Sequence, residues 1–418
     1  MNLLTLKRIY HFIMPHAFRN AFGKLRISDF LSIKVSNYRY AKTIKRLQNK
    51  KILNVVFFAM DLSFWKFDLL FKKLQEHPKF EPYIVLAPHT QATQENKELA
   101  IARMKKYFGD RNYPILKSFH DVVPDILFYT QPYRNSIENK FSFYNFPNAL
   151  PCYVPYAFWM SNYSWGYDMP LHNNAWKLFY PTEIHRENFR QLSFNKGRNV
   201  CITGYPLTDF FLNGEIIKSP WKKDSRKKII WASHHSIFST DYSDCGVFLK
   251  IAEPMKMLAK KWNEKVQFAF KPHPLLKNSL YRHPEWGKKK TDDYYHFWES
   301  SENTIITEGE YIDLFKTSDA IVHDCGSFTV EYLLTKKPAF YMGNERNSIL
   351  CPFGQKATQA NYTSHEISLE EFIERVVIQA DDPKQSIRTD FFDKYLLPPH
   401  GKSVATNIID CLISGIFK

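Results

Sequence analysis

The stretch "AIVHDCGSFTVEYLLTKKPAFYM", residues 320–342, is an apolar run that ends in Asp324, Cys325, Gly326 and Ser327, enters a helical pattern at once, and returns to an apolar run after Pro338. Strand, tight loop, helix and strand in that order make a β-α-β crossover, which lays two parallel strands in one sheet. The loop then lies at the carboxyl end of the first strand, where ligands of open α/β sheets bind.

The same alternation extends outward on both sides. Upstream lie apolar runs at "IIWASHHS" (229–236), "VQFAFKPHP" (266–274) and "TIITEG" (304–309), with helical spacing near 246–262 and 310–317. Farther upstream, "KILNVVFFAM" (51–60), "FEPYIVLAPH" (80–89) and "PDILFYTQP" (124–132) alternate with helical patterns at 63–77 and 98–108. Between these two series, "NVCITGYPLTDFF" (199–211) closes a strand and the basic, polar segment 213–228 interrupts the pattern. An α/β chain with two doubly wound, Rossmann-like domains facing a cleft follows. Its expected parts are an N-terminal extension at 1–50, a first domain at 51–205 and a second at 206–418. Segment 277–302 shows charge and aromatics without clear period, 343–364 reads as loop, and 368–380 as an amphipathic helix.

A chain of 418 residues suits two cores better than one. With 57 Lys and Arg against 42 Asp and Glu, a net charge of +15 attracts anionic partners. Six cysteines without a C-x-x-C pair argue against a zinc site and a stapled secreted domain, so a reduced cytoplasmic setting is expected. No stretch approaches the length of a membrane span. From Lys7 to Lys51, Asp29 is the single acid among twelve Lys and Arg interleaved with apolar residues, a basic amphipathic leader. It is read either as a helical flank packed on the body or as a surface that docks on anionic lipid at the inner face of a membrane.

The chemistry-bearing residues gather at strand ends. His234 and His235 follow one strand, His273 another, Glu308 and Gly309 a third, and Asp324 to Ser327 a fourth. A helix beginning at Ser327 offers unpartnered amides and a positive dipole end, and Gly326 lets an anion approach the backbone; alternatively Asp324 or Ser327 caps its own helix. "KPHP" holds His273 between prolines beside Lys271, an imidazole fit to hydrogen-bond phosphate or to act as acid or base. No G-x-x-x-x-G-K-[ST], G-x-G-x-x-G or H-E-x-x-H occurs, which disfavours P-loop hydrolases, standard dinucleotide enzymes and zincins, and the acids near "PHP" are poorly spaced for a metal.

In order and spacing, "ITGYPLTDFF", "WASHHS", "FKPHP" and "TEGEYIDLFKTSDAIVHDCGSFTVEYLLTKKPAFY" resemble the C-terminal half of the CDP-glycerol:poly(glycerophosphate) glycerophosphotransferase family, the teichoic-acid and capsule polymerases, over 199–345. The resemblance implies a GT-B fold with a CDP-linked donor in the C-terminal domain and a lipid-linked or glycan acceptor. It further implies a metal-independent transferase, with magnesium an optional addition; histidines gathered at strand ends, in place of Lys, Arg and aromatics interleaved on one exposed face, argue against a nucleic-acid partner. By motif position, His235 and His273 correspond to diphosphate-binding or catalytic imidazoles, with His234 beside them. Gly326, Ser327 and Phe328 correspond to the phosphate cradle, and Glu308 and Glu331 to nucleoside-binding carboxylates. Where the family places a second histidine after an N-terminal-domain strand, this chain has Tyr156, with His172 and His185 as other candidates for the base. Two further readings remain: a GT-B glycosyltransferase using a nucleotide sugar, and a non-catalytic protein that binds anionic surfaces.

Overall fold

The computed structural model describes residues 26–119, 122–212, 219–238, 246–309, 311–343 and 350–417. Two six-stranded sheets organise them, and every pairing within each sheet is parallel. The first contains β1 (Leu53–Ala59), β2 (Phe80–Leu86), β3 (Ile126–Tyr129), β4 (Leu150–Tyr153), β5 (Lys177–Tyr180) and β6 (Val200–Ile202), in the order β2-β1-β3-β4-β5-β6. The second contains β7 (Lys227–Ser233), β8 (Val266–Pro272), β9 (Thr304–Ile306), β10 (Ala320–His323), β11 (Ala339–Tyr341) and β12 (Tyr362–Thr363), in the order β12-β11-β10-β7-β8-β9. The two doubly wound halves expected of a GT-B-type chain are therefore present. The central strands are apolar without alternation because helices cover both faces of a parallel sheet; all seven residues of β8 are buried.

In the second sheet the chain starts at β7, grows through β8 and β9, then crosses back to lay β10, β11 and β12 on the other side of β7. The reversal falls between β7 and β10, so the loops after these two strands diverge and open a crevice at their carboxyl ends. The first sheet reverses in the same way between β1 and β3.

Aromatic packing fills each core. Phe57 stacks on Phe128 with ring centroids 4.6 Å apart in the first, and Phe270 packs against Tyr294, Tyr295 and Trp298 in the second. Those last three explain the segment at 277–302 that showed no clear period. It forms the helices Leu276–Arg282 and Gly287–Ser300, the second burying Thr291, Tyr294, Tyr295 and Trp298 while Lys288, Lys289 and Lys290 stay outside the core. The expected loop at 343–364 likewise holds a helix, Pro352–Gln359, and the short edge strand β12.

Compact units divide the chain at Pro206/Leu207, beside the expected boundary, but with two exchanges. Residues 157–162 belong with 207–397, where Ser161 bridges Leu350. Residues 398–418, expected in the second domain, belong with the first. Their helix Val404–Phe417 buries Val404, Ile408, Leu412 and Ile416 in the first core, an apolar face strong enough to carry the chain back.

Of the basic leader, residues 1–25 lie outside the described part. The helix Ile27–Gln48 is part of the first unit rather than a separate extension, burying Ile33, Tyr40, Thr43 and Leu47. Ser32 Oγ donates to Asn174 Oδ1 at 2.8 Å, and Arg46 and Lys50 both pair with the buried carboxylate of Asp125. The packed-flank reading holds for this face. The outer face exposes Leu31, Lys34, Tyr38, Lys42 and Lys45, spaced at three to four residues.

Candidate active site at the switch point of the second sheet

Asp324, the first residue after β10, is fully buried and builds the site. Its carboxylate accepts from the amide of His234 at 2.6 Å and the amide of Val247 at 2.8 Å, with Ser233 Oγ at 3.5 Å. One side chain thus fastens the loop after β7 and the entry to the helix Phe248–Lys261 onto the end of β10. Burial pushes its carboxyl up to about 6, against the opposing pull of those amides. The alternative in which Asp324 caps the helix directly after it does not hold: its carboxylate serves the neighbouring loop.

Three imidazoles stand on this frame. The rings of His234 and His235 lie 4.3 Å apart, His235 and His273 stack at 4.2 Å, and His234 and His273 are separated by 5.3 Å. The amide of His273 donates to Ser233 O at 2.8 Å, so strand pairing of β7 with β8 runs on into the site. Nδ1 of His234 accepts from the Ser236 amide at 3.2 Å, and Nδ1 of His273 accepts from the Leu275 amide at 3.1 Å. A nitrogen that accepts from an amide carries no proton, which assigns the ring proton of each to Nε2. Burial first, then the crowding of the imidazoles on one another and, for His273, the charge of Lys271, lowers His234 to about 3 and His273 to about 4, so both are neutral at pH 7.

The three rings bring nitrogen atoms within 4.8 Å of one another, close enough to hold a metal ion. Metal-ligating imidazoles, however, place the proton on the outward nitrogen and give it to an acceptor. Here the outward nitrogens of His234 and His273 are the acceptors. The set suits an oxyanion that receives Nε2–H bonds better than a cation.

Around the imidazoles, Lys271 is nearly buried, donates to Gly309 O at 2.8 Å, and lies 5.7 Å from the Tyr311 ring centroid. Tyr311 donates to the carboxylate of Glu331. That carboxylate is buried at 2% exposure, which fixes it on a protein phenol; the resemblance implied a contact with the nucleoside. Glu308 is exposed at the end of β9, on the same edge of the sheet.

The helix expected at 327–336 is shorter and tighter. One α turn, Phe328–Glu331, passes into the 3₁₀ turn Tyr332–Thr335 and stops at Lys336, whose φ is 60°. Ser327 is already helical, with φ −62°, and its side chain makes no cap. Phe328 packs edge-on against Phe315 and leans on Tyr311, so its side chain is structural and its backbone is the part left to a ligand. Gly326 has no left-handed φ, and a Cβ built there would meet only Met160 Cε at 3.9 Å. The fold does not require glycine at this position; a close-lying ligand would.

In the first unit, Tyr156 follows β4. Its hydroxyl lies 3.4 Å from that of Tyr133, its carbonyl accepts from Tyr205 OH at 2.8 Å, and Phe64 packs on its ring. Tyr133 follows β3, and Phe64 lies in the segment after β1, so these rings mark the switch point of the first sheet. His172 and His185 are buried, at 1% and 0% exposure. His172 is wedged between Tyr153 and Phe189 and lowered by burial to about 3, while His185 Nδ1 bonds Thr182 Oγ1 at 2.8 Å. Both are core residues rather than bases within reach of a substrate.

Residues 162–348 match the family model of CDP-Glycerol:Poly(glycerophosphate) glycerophosphotransferase. Among solved structures, a variant of the wall teichoic acid polymerase TagF is similar with a TM-score of 0.57 and 12% identity, over 96% of this chain and 98% of that one. UDP-GlcNAc 2-epimerase from Neisseria meningitidis bound to UDP-GlcNAc is similar with a TM-score of 0.55 and 14% identity, over 87% of this chain and 100% of that one. A search of curated protein sequences finds no match. At such identities the structures speak for the fold, a two-sheet GT-B-type architecture along nearly the whole chain. The family read from the motifs at 199–345 is thus the family whose model matches 162–348, and with it comes the enzyme class, a transferase of the glycerophosphotransferase type.

Proposed function

We propose that the chain transfers a polyol-phosphate group, of the glycerol-phosphate kind, from a CDP-activated donor to a lipid-linked or glycan acceptor during assembly of a bacterial surface polymer such as teichoic acid or capsule. The observation that carries this reading is the imidazole cluster of His234, His235 and His273, fastened by Asp324 at the switch point beside the open backbone of Gly326. Nε2–H donors and loop amides supply preorganised positive potential for a diphosphate without a charged side chain. An acceptor hydroxyl attacks the phosphorus that bears the polyol, the bond from that phosphorus to the bridging oxygen breaks, and CMP leaves. The hydrogen bonds strengthen as charge collects on the departing oxygen. Because the imidazoles donate rather than ligate, the step is metal-independent in this reading. Gly326, Ser327 and Phe328 hold the phosphates through their backbone, and Glu308, exposed at the same edge, serves the nucleoside.

Tyr156 is placed on the acceptor side, paired with Tyr133. A phenol is a weak base at neutral pH, and this feature favours a second reading, a nucleotide-sugar glycosyltransferase whose acceptor is oriented by aromatic rings. Among the described residues, no helix is long and apolar enough to cross a membrane. The exposed Leu31, Lys34, Tyr38, Lys42 and Lys45 face supports peripheral attachment to an anionic leaflet on the cytoplasmic side.

The test is product analysis with purified enzyme, EDTA and an acceptor glycolipid. CMP release from CDP-glycerol or CDP-ribitol, absent in His273→Ala, is expected. Turnover confined to nucleotide sugars would establish the second reading in its place.

A further inference from the structure

Two cysteines separated by half the chain meet in the first unit, at a place the transfer reaction does not use. Cys201, on edge strand β6, and Cys411, on the helix Val404–Phe417, have sulfur atoms 3.0 Å apart, with Cys411 Sγ–H donating to Cys201 Sγ. Lys177, on the adjoining strand β5, donates from Nζ to Cys201 Sγ at 3.6 Å. Both cysteines pack against the apolar core yet keep part of their surface accessible. The other described cysteines differ: Cys152 and Cys351 are buried, and Cys325 lies beside Asp324, whose carboxylate repels a thiolate.

We propose that Cys201 and Cys411 form a peroxide-responsive dithiol that closes to a disulfide, with Cys201 as the attacking thiolate. A thiolate is the nucleophile of such chemistry, and a neighbouring ammonium together with a donated S–H favours it at Cys201. The hydrogen bond from Cys411, followed by the charge of Lys177, draws the Cys201 thiol below its ordinary range, while Cys411, as the donor, is pushed up. The thiolate attacks one oxygen of hydrogen peroxide, the O–O bond breaks, and hydroxide leaves with Cys201 as sulfenic acid. Cys411 then attacks that sulfur, the S–O bond breaks, and water departs with the proton from Cys411. One peroxide is reduced to water and two thiols are oxidised to one disulfide. The bond would pin the helix Val404–Phe417, in the segment that returns to the first unit, to the edge of its sheet. A reducing dithiol would release it by exchange.

The full chain, reduced and then exposed to hydrogen peroxide, is alkylated and mapped by mass spectrometry without reductant. A Cys201–Cys411 peptide pair, reversed by dithiothreitol and accompanied by a higher melting temperature, is expected. Cys411→Ser should stop at a sulfenic acid on Cys201 that a dimedone probe traps, and Lys177→Gln should slow thiol loss by roughly fivefold at pH 6, where one unit added to a thiol at about 6 empties most of its thiolate. Serine variants that melt with the reduced wild type report chemistry rather than misfolding. Thiol loss beginning at Cys325, no crosslinked pair in the wild type, or an unchanged rate in Lys177→Gln would overturn the proposal.

Discussion

The two sheets are wound alike and finished differently. At the reversal of the second sheet stand three imidazoles, a glycine the fold does not require and a buried carboxylate that ties two loops. At the reversal of the first stand Phe64, Tyr133 and Tyr156, an aromatic ring and two phenols. In the function proposed above, one architecture carries two chemistries: Nε2–H donors and open backbone serve a diphosphate in the second unit, and aromatic rings serve a hydroxylated acceptor in the first. Function belongs to the side chains placed at strand ends, not to the winding itself.

The comparison is broken most directly by His273→Ala. Turnover should fall by about 10²–10³-fold, the usual worth of one preorganised hydrogen-bond donor to developing charge, with the circular dichroism spectrum and melting temperature retained. Near-normal turnover would remove the imidazole cluster from the chemistry. Asp324→Asn should come next. The amide it introduces cannot accept from both His234 and Val247 as the carboxylate does, so unfolding free energy should drop by about 1–3 kcal/mol, with donor affinity falling as the His234 loop loosens. Chemical denaturation checks the first and calorimetry the second.

Gly326→Ala sharpens the contrast, because its Cβ would meet nothing closer than 3.9 Å in the protein. Stability should be unchanged while donor affinity weakens by about tenfold, near 1.4 kcal/mol; equal donor affinity would mean that no ligand approaches there. Tyr156→Phe should leave the donor dissociation constant untouched and reduce kcat/KM for the acceptor a few-fold, on the order of one neutral hydrogen bond. The smallest expected effect is protonic. His234 and His273 are held at about 3 and about 4 in the free protein. A bound diphosphate stabilises their charged forms and raises both values. Proton uptake on binding should therefore grow, and donor affinity rise, as pH falls toward the free-protein values of about 4 and about 3, with no dependence on these groups near pH 7. Titration in buffers of different ionisation enthalpy detects that uptake.

The parallel sheets and the strand-end histidines were legible because a strand buried on both faces is a plain apolar run, and "SHHS" and "KPHP" follow such runs directly. Other features were hidden for physical reasons. The helix Gly287–Ser300 buries Tyr294, Tyr295 and Trp298 amid lysines, so its apolar stripe consists of amphipathic rings that blur the period. The helix after Ser327 was overread because the chain tightens from an α turn into a 3₁₀ turn after Glu331, a change that leaves no break in the sequence pattern. The tying role of Asp324 could not be read, since hydrogen bonds to His234 and Val247, 90 and 77 residues away, leave no mark in sequence. Return of 398–418 to the first unit and the meeting of Cys201 with Cys411 are likewise tertiary facts.

The central claim is that the switch point of the second sheet binds a cytidine diphosphate donor through neutral imidazoles and backbone. Calorimetric titration with CMP, CDP-glycerol, CDP-ribitol, UDP and GDP, in EDTA and then in magnesium, tests it directly. The cytidine ligands should bind without metal, and binding should be lost in His273→Ala. Preference for UDP or GDP, a strict requirement for metal, or no nucleotide binding at all would contradict it.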